Sequence, residues 1–263
     1  MKHKENFKIA MVQHSIDWMN PTSNFATLEE KLWQVDDKDI DLVIFPELFT
    51  TGFHQSASDL AEPIGLTTTK WLLQQSKRMN AAMIGSYPVR QDRKVFNRLL
   101  FVKPDGTFSH YDKRHLFRMA SEHMTFTPGN FQVVEEWKGW RINPIICYDL
   151  RFPLWCRNTN NDYDILLCIA NWPKPRIAAW HTLLAARAIE NLSYTVGVNR
   201  TGTDPNEVVY NGNSAVYNPK GEITNEISEN DEIQIVTLNY QKVQSLREKF
   251  PTHLDADHFN LHL

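Results

Sequence analysis

Three polar side chains stand at the ends of strand-like runs or just after them: Glu47 after "DLVIFP", Lys113 after "FSHYD" and Cys147 after "NPII". Their types fit together chemically. A cysteine attacks as its thiolate, and with an ordinary pKa of about 8.5 it needs a base or a nearby cation to be useful at neutral pH. Glu47 is the candidate base. A free carboxylate is about four pK units too weak for that task, and the apolar approach "VIFPE" supplies the kind of burial that narrows such a gap. Lys113 is the candidate cation, able to stabilise the thiolate and then the oxyanion of a tetrahedral intermediate, helped by the backbone N–H of Tyr148. The set describes covalent acyl transfer without a histidine. Taken singly, each residue has a plainer reading as a packing thiol, a loop carboxylate or a surface lysine. Cys168, inside "ILLCIAN", is assigned to packing.

Presenting these three side chains at one crevice requires strands that end near one another, as in open α/β sheets, where ligands bind outside the carboxyl ends of strands. Residues 7–13 read as a short apolar strand. Phe25, Leu28, Leu32 and Val35 then recur at helical spacing after Pro21, with Thr22 or Ser23 as the candidate N-cap. "DLVIFPE" reads as a strand buried on both faces. A helix around Thr69–Met79 leads into the strand "AAMIGSYPV", so neighbours in this half are expected to be parallel. Hairpins are expected at Asp105-Gly106 and Lys138-Gly139. "DILLCIANW" follows as a buried strand, 176–191 as a helix, and "YTVGVNRTG", "NSAVYNPKGEI" and "EIQIVTLNY" as further strands. About ten strands with three or four helices, in a mixed arrangement, tend to split into two packed layers. The expected fold class is α/β, with helices outside a pair of mixed sheets. The chain reads as a single domain over 1–263, with an aromatic and polar C-terminal arm from about 241 to 263 that packs on something, a partner subunit being one option.

Composition narrows the function classes. With 263 residues, 42% hydrophobic and 22% charged, the chain is long enough for a sizeable core. Its net charge of -3 offers no basic surplus for a phosphate backbone, so no nucleic-acid partner is expected. No apolar run approaches the roughly 18 residues that cross a bilayer, so no membrane association is expected. The opening "MKHKENFKIAMVQHS" is interrupted by Lys8 and Gln13 and fails as a secretory signal. A cytoplasmic location is therefore expected, with Cys147, Cys156 and Cys168 as free thiols. The N-x-S/T matches at Asn191 and Asn199 are then chance hits.

The motifs themselves carry a resemblance. "FPELFTTGF", "YDKRHLF" and "ICYDLRFP", in that order, with "FNRLLFVKPDG" and "ARAIEN" as secondary echoes, make the chain similar to the nitrilase superfamily of carbon-nitrogen hydrolases over nearly its whole length. The resemblance implies a four-layer α-β-β-α sandwich and a Glu-Lys-Cys triad of Glu47, Lys113 and Cys147. It also implies a second glutamate, matched here by Glu122 in "RMASEHMTFTPG", that holds Lys113 or positions the substrate amide. No metal or organic cofactor is expected from it, and a homodimer is. Within the superfamily, "CYDLRFPLWCRN", "YDILLCIANWPKPR", "HTLLAARAIEN" and "REKFPTHLDADHF" resemble bacterial omega-amidases, which implies a small-molecule amide substrate, 2-oxoglutaramate or 2-oxosuccinamate. A nitrilase or N-carbamoyl amidohydrolase on the same scaffold is the alternative.

A 2-oxo acid needs a cation for its carboxylate. Arg151 is one candidate, able to pair bidentately, unless it braces the turn at Asp149 instead. Lys174 and Arg176 are others, while Phe53, Phe117 and Trp172 are candidate walls of a small pocket. His253, Asp255, Asp257 and His258 in the tail are metal-ligand types, but the segment has few anchors and no metal is assigned to it.

Overall fold

The computed structural model describes residues 3–257 and 259–261. Strands β1 (Asn6–Gln13), β2 (Leu42–Ile44), β3 (Ala82–Gln91), β4 (Lys94–Val102) and β5 (Phe108–Asp112) build a first sheet. A second follows with β6 (Glu135–Trp137), β7 (Trp140–Ile146), β8 (Ile165–Ala170) and β9 (Tyr194–Asn199). Then come a separate hairpin of β10 (Thr201–Thr203) and β11 (Val209–Asn211), β12 (Ala215–Tyr217) in the second sheet, and β13 (Glu232–Asn239), which returns to the first. The sheet orders are β13-β1-β2-β3-β4-β5 and β12-β9-β8-β7-β6.

Each sheet has a parallel centre: β1, β2 and β3 in one, β7, β8 and β9 in the other. Antiparallel strands complete the flanks. Both expected hairpins form. Lys138 and Gly139 have φ of 52° and 85°, the left-handed pair that a two-residue turn between Trp137 and Trp140 demands. A further hairpin turns at Asp92 and Arg93, both at positive φ and without a glycine to announce it.

Strand side chains alternate between faces, and both faces of each sheet are apolar. On the first sheet, Ala10, Val12, Val43 and Met83 pack with Leu28 and Leu32 of α1 (Pro21–Trp33) and with Leu72 of α2 (Thr67–Met79). Ile9, Met11 and Ile44 belong to the other cluster, shared with Ile142, Leu167 and Val196 of the second sheet. Behind that sheet α3 (Ile177–Asn191) buries Trp180, Leu184 and Ala188, spaced four apart on one face. The result is an α-β-β-α sandwich of four layers. The α1 cap is Asn20, whose side chain accepts from Ser23 N, with Pro21 in the first turn, rather than Thr22 or Ser23.

The C-terminal arm begins as α4 (Tyr240–Lys249) and is tied to its own chain. Buried Arg247 donates to Asp164 Oδ1 at 2.7 Å and to the carbonyl oxygens of Tyr163 and Leu192. Of the tail residues weighed as metal ligands, His258 lies outside the described residues. Among those described, no group of three or more His, Cys, Asp or Glu side chains is placed to hold a metal ion, and no helix is long and apolar enough to cross a membrane.

Candidate active site

Glu47 follows β2, Lys113 follows β5, and Cys147 follows β7. These strands are not neighbours: β3 and β4 separate the first two, and β7 lies in the other sheet. The side chains nonetheless converge. Lys113 Nζ donates to Glu47 Oε1 at 2.8 Å and to Glu122 Oε1 and Oε2 at 3.0 and 2.9 Å. All three are buried, as a charge without water requires partners. Asn97, inside β4, bridges the two carboxylates through Nδ2, 2.9 Å from Glu47 Oε1 and 3.3 Å from Glu122 Oε1. Glu122 is held further by the backbone N–H of Phe117 at 2.6 Å.

Electrostatics follow from this packing. Burial alone would lower the Lys113 pKa, but Glu122 and Glu47 outweigh it and hold the ammonium well above its ordinary value. Burial raises Glu122, with Glu47 adding to the effect and Lys113 opposing it. Burial also pushes the Cys147 thiol well up, as does the Glu47 carboxylate, against a smaller pull downward from Lys113.

Cys147 has φ of 47°, a left-handed conformation uncommon for a residue with a Cβ. It sits where β7 turns into a short 3-10 segment, Cys147–Arg151. Such strain clusters at functional sites. Its Sγ lies 3.9 Å from the carbonyl oxygen of Asn171, whose own N–H donates to Glu47 Oε2 at 2.8 Å.

A cavity of about 370 Å³ opens over this cluster. Lys113, Glu122, Cys147 and Asn171 contribute polar lining, and Phe53, Phe117 and Trp172 contribute walls. The Lys113 ammonium lies 5.3 Å from the Phe53 ring centroid. Tyr148 and Arg151 also line the cavity, whereas Glu47 does not and stands fully buried beside Lys113 and Asn171. Arg151 does not brace the Asp149 turn. Asp149 is bonded to Tyr111, His115 and Ile146, while the Arg151 guanidinium stacks 4.9 Å over Trp172. Arg176 reaches the cavity over Phe117 at 5.2 Å. Lys174 is not part of the lining and points toward Glu229.

Sequence reasoning passed over Asn97, Asn171 and the β10–β11 hairpin, whose Asp204 and Tyr210 close one side of the cavity. Asn171 was open to discovery by the rule that picked the other three, because it ends the apolar run of β8.

Comparison with known proteins gives the family. The carbon-nitrogen hydrolase family model matches residues 8–248. The chain is 43% identical over 257 residues to Omega-amidase YafV of Escherichia coli (strain K12), covering 97% of this chain and 98% of that protein. It is 31% identical over 247 residues to 2-oxoglutaramate amidase of Bacillus subtilis (strain 168), covering 92% of this chain and 95% of that one. Among solved structures, XC1258 from Xanthomonas campestris, a CN-hydrolase superfamily protein with an arsenic adduct in its active site, has a TM-score of 0.96 and 43% identity. It covers 98% of this chain and 100% of that one. With a buried Glu-Lys-Glu cluster beside a strained cysteine, and near full-length similarity of sequence and fold, this chain belongs to the carbon-nitrogen hydrolase family.

Proposed function

We propose that this chain is an omega-amidase that hydrolyses the terminal amide of a small 2-oxo acid, 2-oxoglutaramate or 2-oxosuccinamate, to the dicarboxylate and ammonia. The names of its relatives support the substrate class. The observation that carries the reading is one cavity joining Cys147 and Lys113 to Arg151, a guanidinium with no carboxylate partner among the described residues.

In the proposed cycle Cys147 Sγ attacks the amide carbon while its proton passes to Glu47. The oxyanion is met by Lys113 and the Tyr148 N–H. The C–N bond then breaks and Glu47 returns the proton to the departing ammonia, leaving a thioester on Cys147. Water, losing a proton to Glu47, attacks that thioester. The C–S bond breaks, the sulfur regains its proton from Glu47, and the product acid leaves as its carboxylate, its remaining proton taken up by the released ammonia. Glu122 keeps Lys113 in place and charged throughout. Arg151 pairs with the substrate carboxylate, with Trp172 beneath it, and Phe53 and Phe117 exclude water. No cofactor takes part in this cycle.

This reading includes a cytoplasmic homodimer. The exposed Phe250, Leu254 and Phe259 of the arm offer apolar surface for a second copy, and size-exclusion chromatography giving a monomer would remove that element.

The test is ammonia release from 2-oxoglutaramate beside an aliphatic nitrile and a carbamoyl amino acid. Turnover of the nitrile or the carbamoyl compound alone would sink the omega-amidase reading. Arg151→Met should raise KM for 2-oxoglutaramate about tenfold or more, because a charge-assisted hydrogen bond is worth about 1.5–3 kcal/mol.

A further inference from the structure

Asp149 has no exposed surface and accepts four hydrogen bonds. Its Oδ1 takes the backbone N–H of His115 and His115 Nδ1, each at 2.8 Å. Its Oδ2 takes Tyr111 Oη at 2.7 Å and the backbone N–H of Ile146 at 3.1 Å. Tyr111 and His115 flank Lys113, two residues to either side, and Ile146 immediately precedes Cys147. One carboxylate therefore joins the end of β5 in the first sheet to the end of β7 in the second.

The donors are fixed in their roles. Tyr111 Oη already accepts from Trp155 Nε1 at 2.9 Å and from the backbone N–H of Arg114 at 3.3 Å, which occupies both lone pairs and leaves its proton for Asp149. Burial and the adjacent carboxylate keep that phenol protonated, well above its ordinary range. The His115 ring stacks on Phe152 at 3.6 Å and 5°, which fixes its plane.

We propose that Asp149 is a positioning residue that sets the separation of the Lys113 ammonium and the Cys147 sulfur by holding their two segments to one anchor. This rests on the reading of Cys147 as the nucleophile and Lys113 as its cation. An amide is no substitute. Were Oδ2 an NH2 group it would face the Ile146 N–H, and were Oδ1 one it would face the His115 N–H. Either way a buried donor meets a donor.

The experiment is steady-state kinetics on 2-oxoglutaramate with Asp149→Asn and Tyr111→Phe, together with the rate at which iodoacetamide alkylates Cys147 in each. Asp149→Asn should lower kcat about 100-fold, the penalty of a misplacement of about 1 Å, with KM within about twofold because Arg151 and the aromatic walls keep their places. Alkylation should slow alongside it. Tyr111→Phe keeps the carboxylate and three donors, and should lower kcat about three- to tenfold at the same KM. If Asp149→Asn does not fold, the Tyr111→Phe result decides. Unchanged kcat and alkylation in the folded variants, or a loss confined to thermal stability or KM, would overturn the proposal. Cys147→Ala is the separate control: full hydrolysis by that variant would fail the reading of the nucleophile, whatever Asp149 does.

Discussion

Asn171 grips Glu47 at two points, its backbone N–H donating to Oε2 at 2.8 Å and its Nδ2 donating to the Glu47 carbonyl oxygen at 2.7 Å. Its own carbonyl oxygen faces Cys147 Sγ. The proposed base and nucleophile thus share one neighbour at the end of β8. Asn171→Ala removes the side-chain grip and leaves a buried carbonyl unpaired. It should lower kcat about tenfold, equivalent to about 1.4 kcal/mol, with KM little changed. Steady-state kinetics on 2-oxoglutaramate check this, and a rise in KM alone would contradict it.

The Cys147 thiol, pushed up by burial and by Glu47, stays protonated at neutral pH, so in the proposed cycle its proton leaves during attack on the substrate and not before. In the enzyme without substrate, iodoacetamide alkylation should therefore still be rising with pH beyond about pH 9. A plateau already reached below neutrality would indicate a preformed thiolate and count against a proton transfer coupled to attack.

A second titration bears on stability. Burial lowers the pKa of His14 from 6.5 to about 4, against the opposing pull of Asp231. With the folded value depressed, the unfolded chain binds the proton first as pH falls, so stability is lost from about pH 6.5 down to about 4 and unaffected above that window. The gap is worth about 3 kcal/mol. Urea unfolding at pH 7 and at pH 4.5 should show a larger loss for the wild type than for His14→Asn; equal losses would exclude His14 as the cause.

Gly197 in β9 is a close-packing position. A Cβ there would meet Leu184 Cδ1 and Trp180 Cζ2 of α3, each at 2.6 Å. Gly197→Ala should lift the helix from the sheet and cost about 1–3 kcal/mol, read as a lower Tm. Unaltered thermal unfolding would mean that α3 shifts at no cost.

Glu47, Lys113 and Cys147 were legible because each follows a strand-like run, a signal that survives without knowing which strands are adjacent. Asn97 was not. It lies within "KVFNRLLFV", and only the register of β4, which sets Asn97 opposite Pro88, brings it beneath two carboxylates. The role of Asp149 was hidden for a similar reason, since its donors come from both sheets. The pairing of β13 with β1, Asn239 opposite Asn6, joins opposite ends of the chain, and no local pattern announces it. The turn at Asp92 and Arg93 escaped because Arg93 stands at positive φ where a glycine usually follows such an aspartate. By contrast, the four-residue spacing of Trp180, Leu184 and Ala188 made α3 readable to within one residue of its start.

The placement of Lys113 between Glu47 and Glu122 also fixes a charge inventory. Two carboxylates, one ammonium and a neutral thiol carry one net negative charge. In the proposed cycle the proton that leaves sulfur stops at Glu47, so the negative charge migrates to the substrate oxygen while the total stays constant. A buried enclosure with few mobile ions tolerates redistribution of charge far better than import of it. In that cycle the cluster can therefore lie out of water and still turn over an uncharged amide, the proposed place for the anionic end of the substrate being the Arg151 side of the cavity.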